Sequence, residues 1–125
     1  MGVNGIVRSI EGVEPRPIER SSGAFIQVLI GPEDRVRHVI TRRFTLLKGG
    51  TIGLHKHPTV EHQQYVIKGR MRLQLGYESH EVSAGQAIYI PADTPHAYLN
   101  IGDEVAEFIC MIPHTEGFKT IWLDD

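Results

Sequence analysis

Three histidines fall close together in residues 49–69, GGTIGLHKHPTVEHQQYVIKG: His55, His57 and His62. Alternate side chains of a β-strand share a face, so His55 and His57 project side by side if this stretch is extended. Pro58, Thr59 and Val60 then turn the chain, and His62 can return on a neighbouring strand to face the first two. Neutral imidazole nitrogens aimed at one point form a ligand set for a divalent transition metal. A fourth histidine, His96, follows the loop Pro91-Ala92-Asp93-Thr94-Pro95, which two prolines stiffen. At the start of a strand, His96 can close the ring of imidazoles from the opposite wall of a barrel. The third ligand depends on register: a slip of one residue presents Glu61 or Gln63 in place of His62.

The elements that must position these residues are short strands. Residues 23–30 (GAFIQVLI) read as a buried strand ended by Gly31-Pro32. Residues 37–47 are β-rich, with Ile40, Arg42, Phe44 and Leu46 on one face and Val39, Thr41, Arg43, Thr45 and Leu47 on the other. Lys48-Gly49-Gly50 reads as a turn, and Lys68-Gly69 as a hairpin turn in which glycine supplies positive φ. Met71, Leu73 and Leu75 alternate with Arg72 and Gln74, the pattern of a half-buried strand. Further strands follow at 80–83, 87–90, 96–100 and 105–112, and no stretch keeps a helical period over three turns. Short strands punctuated by Gly and Pro predict an all-β sandwich or barrel. The chain divides into an N-terminal arm or edge strand at 1–22, a barrel at 23–115, and a tail at 116–125 that packs on the barrel or on a partner.

Composition narrows the function classes. A chain of 125 residues, 41% apolar and 22% charged, can build one core without staples. A net charge of -2 gives no electrostatic footprint for nucleic acid or an anionic membrane. The single cysteine, Cys110, excludes an internal disulfide and suits a reducing cytoplasm. The N-terminus lacks the charged start and apolar core of a signal peptide, and no apolar run approaches the roughly 20 residues that span a bilayer. The expectation is a soluble, cytoplasmic protein.

The spacing Gly49-x5-His55-x-His57-x4-His62-x6-Gly69 resembles the first motif of the cupin superfamily, and Gly85-x5-Pro91-x-Asp93-x2-His96-x3-Asn100 resembles the second. Two departures stand out: His62 occupies a position where many cupins have Glu, and Asp93 one where Gly is usual. Within the superfamily, the chain is similar to small manganese-binding monocupins with a four-histidine site. That resemblance implies a double-stranded β-helix (a jelly-roll cupin barrel), a metal inside it, and a homodimer. It implies no single reaction, because one barrel hosts many chemistries.

The expected site is one divalent transition metal per chain held by His55, His57, His62 and His96. Manganese or iron is the first choice, with zinc and nickel as further candidates. Four neutral imidazoles leave the ion's full charge in place, which strengthens it as a Lewis acid compared with a carboxylate-bearing site. Phe44, Val66, Phe108 and Ile112 are expected to exclude water around a small-molecule substrate, and Tyr98 and Cys110 to lie nearby. Cys110 also reads simply as a small buried hydrophobe. Arg42 has two readings: an exterior partner for a carboxylate, or an inward fork for a substrate carboxylate. His38, His80 and His114 read as surface residues. The functional expectation is a metal-dependent enzyme performing dioxygenase-type oxidation. Isomerase or lyase chemistry, or non-catalytic small-molecule binding, is the alternative.

Overall fold

A computed structural model describes residues 4–123. Ten antiparallel strands account for the regular structure: β1 (Arg16–Pro17), β2 (Ser21–Ile30), β3 (Val39–Lys56), β4 (His62–Lys68), β5 (Arg70–Leu75), β6 (Glu78–Ser83), β7 (Ala87–Ile90), β8 (His96–Asn100), β9 (Ala106–Pro113) and β10 (Ile121–Trp122). Two single 3-10 turns, Ile10–Gly12 and Pro32–Asp34, are the only helical pieces among the described residues. The strands run in the order β6-β5-β8-β3-β9-β4-β7, with β2 and β10 also on β3. This is the all-β jelly-roll barrel that the sequence predicts.

The long strand β3 belongs to both walls. Its first half pairs with β9 (Ile40↔Ile112 to Leu46↔Ala106) and its second half with β8 (Thr51↔Leu99, Ile52↔Tyr98, His55↔His96). The expected turn at Lys48-Gly49-Gly50 is instead the crossing between the walls. Opposite Gly23 of β2, residues 47–50 bulge out while the strand continues, because Ser22 pairs with Thr51 and Ala24 with Leu46. Such bulges re-aim a strand at a barrel corner. Gly50 is required there: a Cβ would lie 2.7 Å from the carbonyl oxygen of Gly23.

The expected hairpin at Lys68-Gly69 is also a corner. β4 pairs with β7 and β9, whereas β5 pairs with β6 and β8, so the two strands flanking Gly69 lie in different walls. Gly69 adopts φ 83°, and a Cβ would stand 2.8 Å from the Cα of Ala106. Local turn chemistry identified the glycine but not which strand came next, since strand partners are a long-range property. The hairpin expected next does form, with Gly76-Tyr77 linking Leu75 to its partner Glu78.

Alternation holds where the sequence showed it. Ile40, Arg42, Phe44 and Leu46 are buried, and Leu46, Val66, Met71, Leu73, Ile90 and Phe108 form the centre of the core. Asn100, read as a turn-fixing residue, donates to the carbonyls of Leu46, Leu47 and Glu104 and accepts from the amide of Gly102. The arm is pinned by Arg8, whose guanidinium forks onto Asp34 at 2.9 Å twice and donates to the carbonyl of Leu29. That guanidinium, helped by the Gly31 amide, holds the Asp34 carboxyl down at about 2. β1 then pairs with β2, and β10 with β3, both within the chain. No helix is long and apolar enough to cross a membrane.

Candidate metal centre

A second irregularity in β3 aims the first two histidines. Between Ile52 and His55 the register to β8 shifts, because Gly53 and Leu54 stand against Ala97 alone. Inward-facing residues therefore change parity, from Ile52 to His55 and His57. The Gly53 carbonyl turned out by this bulge sits 2.7 Å from His55 Nδ1. His96 of β8 lies directly opposite His55 in the register, and their ring centroids are 4.2 Å apart. The loop before it is tied to the same strand: the Asp93 amide donates to the His57 carbonyl at 2.9 Å, and Lys56 Nζ lies 3.1 Å from Asp93 Oδ1. Asp93 has φ 64°, the left-handed conformation that a glycine takes freely and an aspartate tolerates. That accounts for a glycine-type position holding Asp.

The structure brings His55, His57 and His96 together, with one ring nitrogen of each within 4.8 Å of the other two. His62 arrives from β4 on the other wall. It stacks on His57 at 4.6 Å between centroids and meets His96 edge-on at 5.5 Å, beside the close group of three. All four rings are buried. Glu61 points outward to the Tyr89 hydroxyl, and Gln63 is exposed, so His62 and Gln64 are the residues of β4 that face in.

The ring nitrogens away from the centre are engaged. His55 Nδ1 meets the Gly53 carbonyl, His96 Nδ1 the Thr94 carbonyl at 2.9 Å, and His57 Nδ1 the Lys119 carbonyl at 3.2 Å. A carbonyl only accepts, so these three Nδ1 atoms carry the proton and leave Nε2 as a bare lone pair. His62 Nδ1 lies 3.5 Å from Cys110 Sγ. The Nε2 atoms of His62 and His96 are buried with no hydrogen-bond partner. Orphaned buried acceptors are costly, and Nδ1–H bonded outward to a carbonyl with the Nε2 lone pair inward is how metal-ligating histidines are held. The residues present fit a divalent metal.

Electrostatics favours the same state. Burial, ahead of all other causes, lowers His57 to about 4, His96 to about 3 and His62 to about 2, with the Arg42 charge adding to each. The rings are therefore neutral and ligand-competent at neutral pH. In metal-free protein the unfolded chain takes up protons near 6.5 and the folded one only well below, so acidification favours unfolding. The melting temperature of chelator-treated protein is expected to fall steadily from about pH 6.5 to pH 4; a flat profile would count against buried neutral imidazoles.

A cavity of about 310 Å³ opens beside the histidines. Its walls include Arg42, Phe44 and Tyr98. Val66, Phe108, Cys110 and Ile112 lie behind that surface in the core, where Phe108 stacks between Phe44 (4.9 Å) and Tyr98 (5.0 Å) as a floor. Burial raises the Tyr98 phenol far above its usual value, so it stays protonated, and it receives a hydrogen bond from Gln64 Nε2 at 2.8 Å. The sequence suggests a tail packed on the barrel or on a partner but does not place its residues at the site. Phe118 stacks on His57 at 4.9 Å, Trp122 lies 4.8 Å from His55 and pairs with it in the β10–β3 ladder, and Thr120 Oγ1 reaches His57 Nδ1. These residues, with Ile18 of the arm, wall the mouth of the cavity.

Known proteins resemble this chain in both sequence and fold. An uncharacterized protein of Methanocaldococcus jannaschii is 33% identical over 97 residues, covering 76% of this chain and 77% of its own length. The polyketide synthase CurC of Streptomyces cyaneus is 38% identical over 61 residues, 49% of this chain and 40% of that protein. The polyketide cyclase RemF of Streptomyces resistomycificus superposes with a TM-score of 0.80 at 23% identity over 98% of this chain and 88% of its own. A predicted oxalate decarboxylase from Thermotoga maritima does so with 0.78 at 21% identity, over 88% and 100% of the two chains. The two superpositions establish the fold. A model of the cupin domain matches residues 42–112, which include all four histidines and more than half of the sequence, and on that match the chain belongs to the cupin family.

Proposed function

We propose that the protein is a metal-dependent enzyme acting on a small organic molecule, with one divalent ion per chain held by His55, His57, His62 and His96. The observation that carries this reading is the pair of orphaned, buried Nε2 atoms on His62 and His96, in a cluster where the Nδ1 atoms of His55, His57 and His96 are turned outward to backbone carbonyls. Manganese or iron held there supplies Lewis acidity together with a redox couple. The chain's own residues do the rest: the Phe44–Phe108–Tyr98 stack and the tail keep water out, and the neutral rings leave the site positively charged. Glu19, exposed at the rim, is the sole carboxylate among the residues lining the cavity, so the metal rather than a buried carboxylate base carries the chemistry. Dioxygenase-type oxidation is the first activity to expect. Likeness to proteins named polyketide synthase and polyketide cyclase supports a second reading, non-oxidative Lewis-acid catalysis on a carbonyl substrate.

Elemental analysis of untagged protein, followed by oxygen-uptake assays on protein loaded with manganese or iron, tests the proposal. About one equivalent of metal and substrate-dependent oxygen uptake are expected. Metal without uptake favours the Lewis-acid reading, and folded protein that takes up no metal overturns both. A homodimer and a cytoplasmic setting belong to the same proposal. Exchange of the arm and the Trp122 tail between two copies is the route to that dimer, and a monomer by light scattering at micromolar concentration would count against it.

A further inference from the structure

Arg42 is a buried cation with no counter-ion among the described residues. Its side chain enters the barrel from β3 and is 8% exposed. The guanidinium lies over the Phe44 ring at 5.0 Å and 6.0 Å from the Phe118 centroid, and Nη2 contacts Cys110 Sγ at 3.1 Å. Its Nε is buried with no hydrogen-bond partner, and among the described residues no carboxylate reaches it within ion-pair distance. The neighbouring Arg43, in contrast, points the other way and has a counter-ion: Nη2 meets Glu107 and Nη1 meets Gln27, both at 2.6 Å, although its Nε is likewise without a partner.

An unpaired buried charge is strongly destabilising, so its retention here points to something outside the chain that completes it. Arg42 opens on the same cavity as the four histidines, so its guanidinium and the neutral imidazoles face one space. The remaining wall is mostly apolar and aromatic, with Phe44, Phe118, Trp122, Ile26 and Ile52; its polar members are Gln64, Tyr98, Thr120 and, exposed at the rim, the carboxylate of Glu19. We propose that the substrate is a small organic carboxylate with a flat apolar body, its carboxylate forked by Arg42 and its body held between the aromatic walls. This rests on the metal reading only in calling that ligand the substrate, since the anion site itself is built by the chain. It resolves the two sequence readings of Arg42 in favour of the inward fork, with the guanidinium geometry that matches a carboxylate in two parallel bonds.

Trp122, the only tryptophan of the chain, lines the cavity and reports on its occupancy. Its fluorescence should be titrated with benzoate, with the neutral isostere benzamide and with acetate, using chelator-treated and manganese-loaded full-length protein. In the metal-free protein benzoate is expected to bind about tenfold or more tighter than benzamide, the worth of one charge-assisted hydrogen-bonded pair. Arg42→Met should erase that preference and Arg42→Lys should keep part of it, while benzamide affinity changes little in either. Arg42→Met should also raise the melting temperature without ligand, because an apolar side chain replaces an unpaired charge; a merely structural arginine would give the opposite shift. Equal binding of benzoate and benzamide to the wild type, or an undiminished preference in Arg42→Met, overturns the proposal. Acetate binding as tightly as benzoate overturns its apolar half. The two readings fail separately: one equivalent of manganese with no benzoate preference sinks the anion site alone, and a benzoate preference in protein that takes up no metal sinks the metal centre alone.

Discussion

His57→Ala is expected to abolish high-affinity metal binding and, with it, the whole difference in melting temperature between metal-loaded and chelator-treated protein. His57 is central to the cluster: its ring touches those of His55, His62 and His96 at 5.2, 4.6 and 5.6 Å between centroids. Removing it takes one nitrogen from the close group of three and leaves His62 without its stacking partner. A ligand that binds only the folded state stabilises it by RT ln(1 + [L]/Kd), about 2.7 kcal/mol at a hundredfold excess over Kd. Wild-type protein should show a metal-dependent increment of that order, and the variant none. The comparison must be the increment and not the absolute melting point. Deleting a buried imidazole also leaves a cavity and removes the charging penalty of a buried base, two effects of opposite sign. His114→Ala, at an exposed residue bonded to the Val36 carbonyl, is the control and should keep the full increment. A His57→Ala protein that still gains stability from metal would show that the imidazoles pack the barrel without holding an ion.

Why such a variant could be named from sequence, and others could not, follows from the range of the interactions involved. The parity of Ile40, Arg42, Phe44 and Leu46 and the side-by-side placement of His55 and His57 are local consequences of an extended backbone, and both are realised. The inward choice of His62 over Glu61 or Gln63 needed the register to β7, His62↔Ile90, which no local rule supplies. The bulge at Gly53 and Leu54 is visible only once β8 is alongside, yet it sets both the aim of His55 and the acceptor for its Nδ1. Gly50 and Gly69 were conspicuous in the sequence, but glycine marks hairpins and sheet corners alike. What distinguishes them here is the close approach of Gly23 and Ala106, residues distant in sequence. Arg42 illustrates the same limit in charge: its side of the strand was open to inference, but the lack of a counter-ion among the described residues is a property of every element packed around it.

The tail was the least legible part of the site, and its removal is the second large effect expected. Ending the chain after Pro113 takes away Phe118, Lys119, Thr120 and Trp122 while leaving the ladders among β3, β8, β9, β4 and β7 intact. The barrel should therefore fold. His57 Nδ1 would lose both the Lys119 carbonyl and the Thr120 hydroxyl, the groups that fix its tautomer and orientation. Loss of such hydrogen-bond partners behind a ligating imidazole lowers metal affinity by about 10- to 100-fold. The truncated protein should thus bind metal 10- to 100-fold more weakly than the full chain in competition with a chromophoric chelator, though still far better than His57→Ala. Thr120→Val separates the contributions: it removes one of the two polar contacts on His57 and keeps Phe118 and Trp122 in place, so its loss should be a fraction of that seen on truncation. Unchanged affinity in the truncated chain would mean that the tail covers the mouth without orienting the ligand. A fully unfolded truncation would mean that the contact of Phe118 and Trp122 with the histidine rings is part of the core. The expected order, full chain above Thr120→Val above truncation above His57→Ala, follows from counting what each change removes at one imidazole: nothing, one outward contact, both contacts with their aromatic cover, and the ring itself.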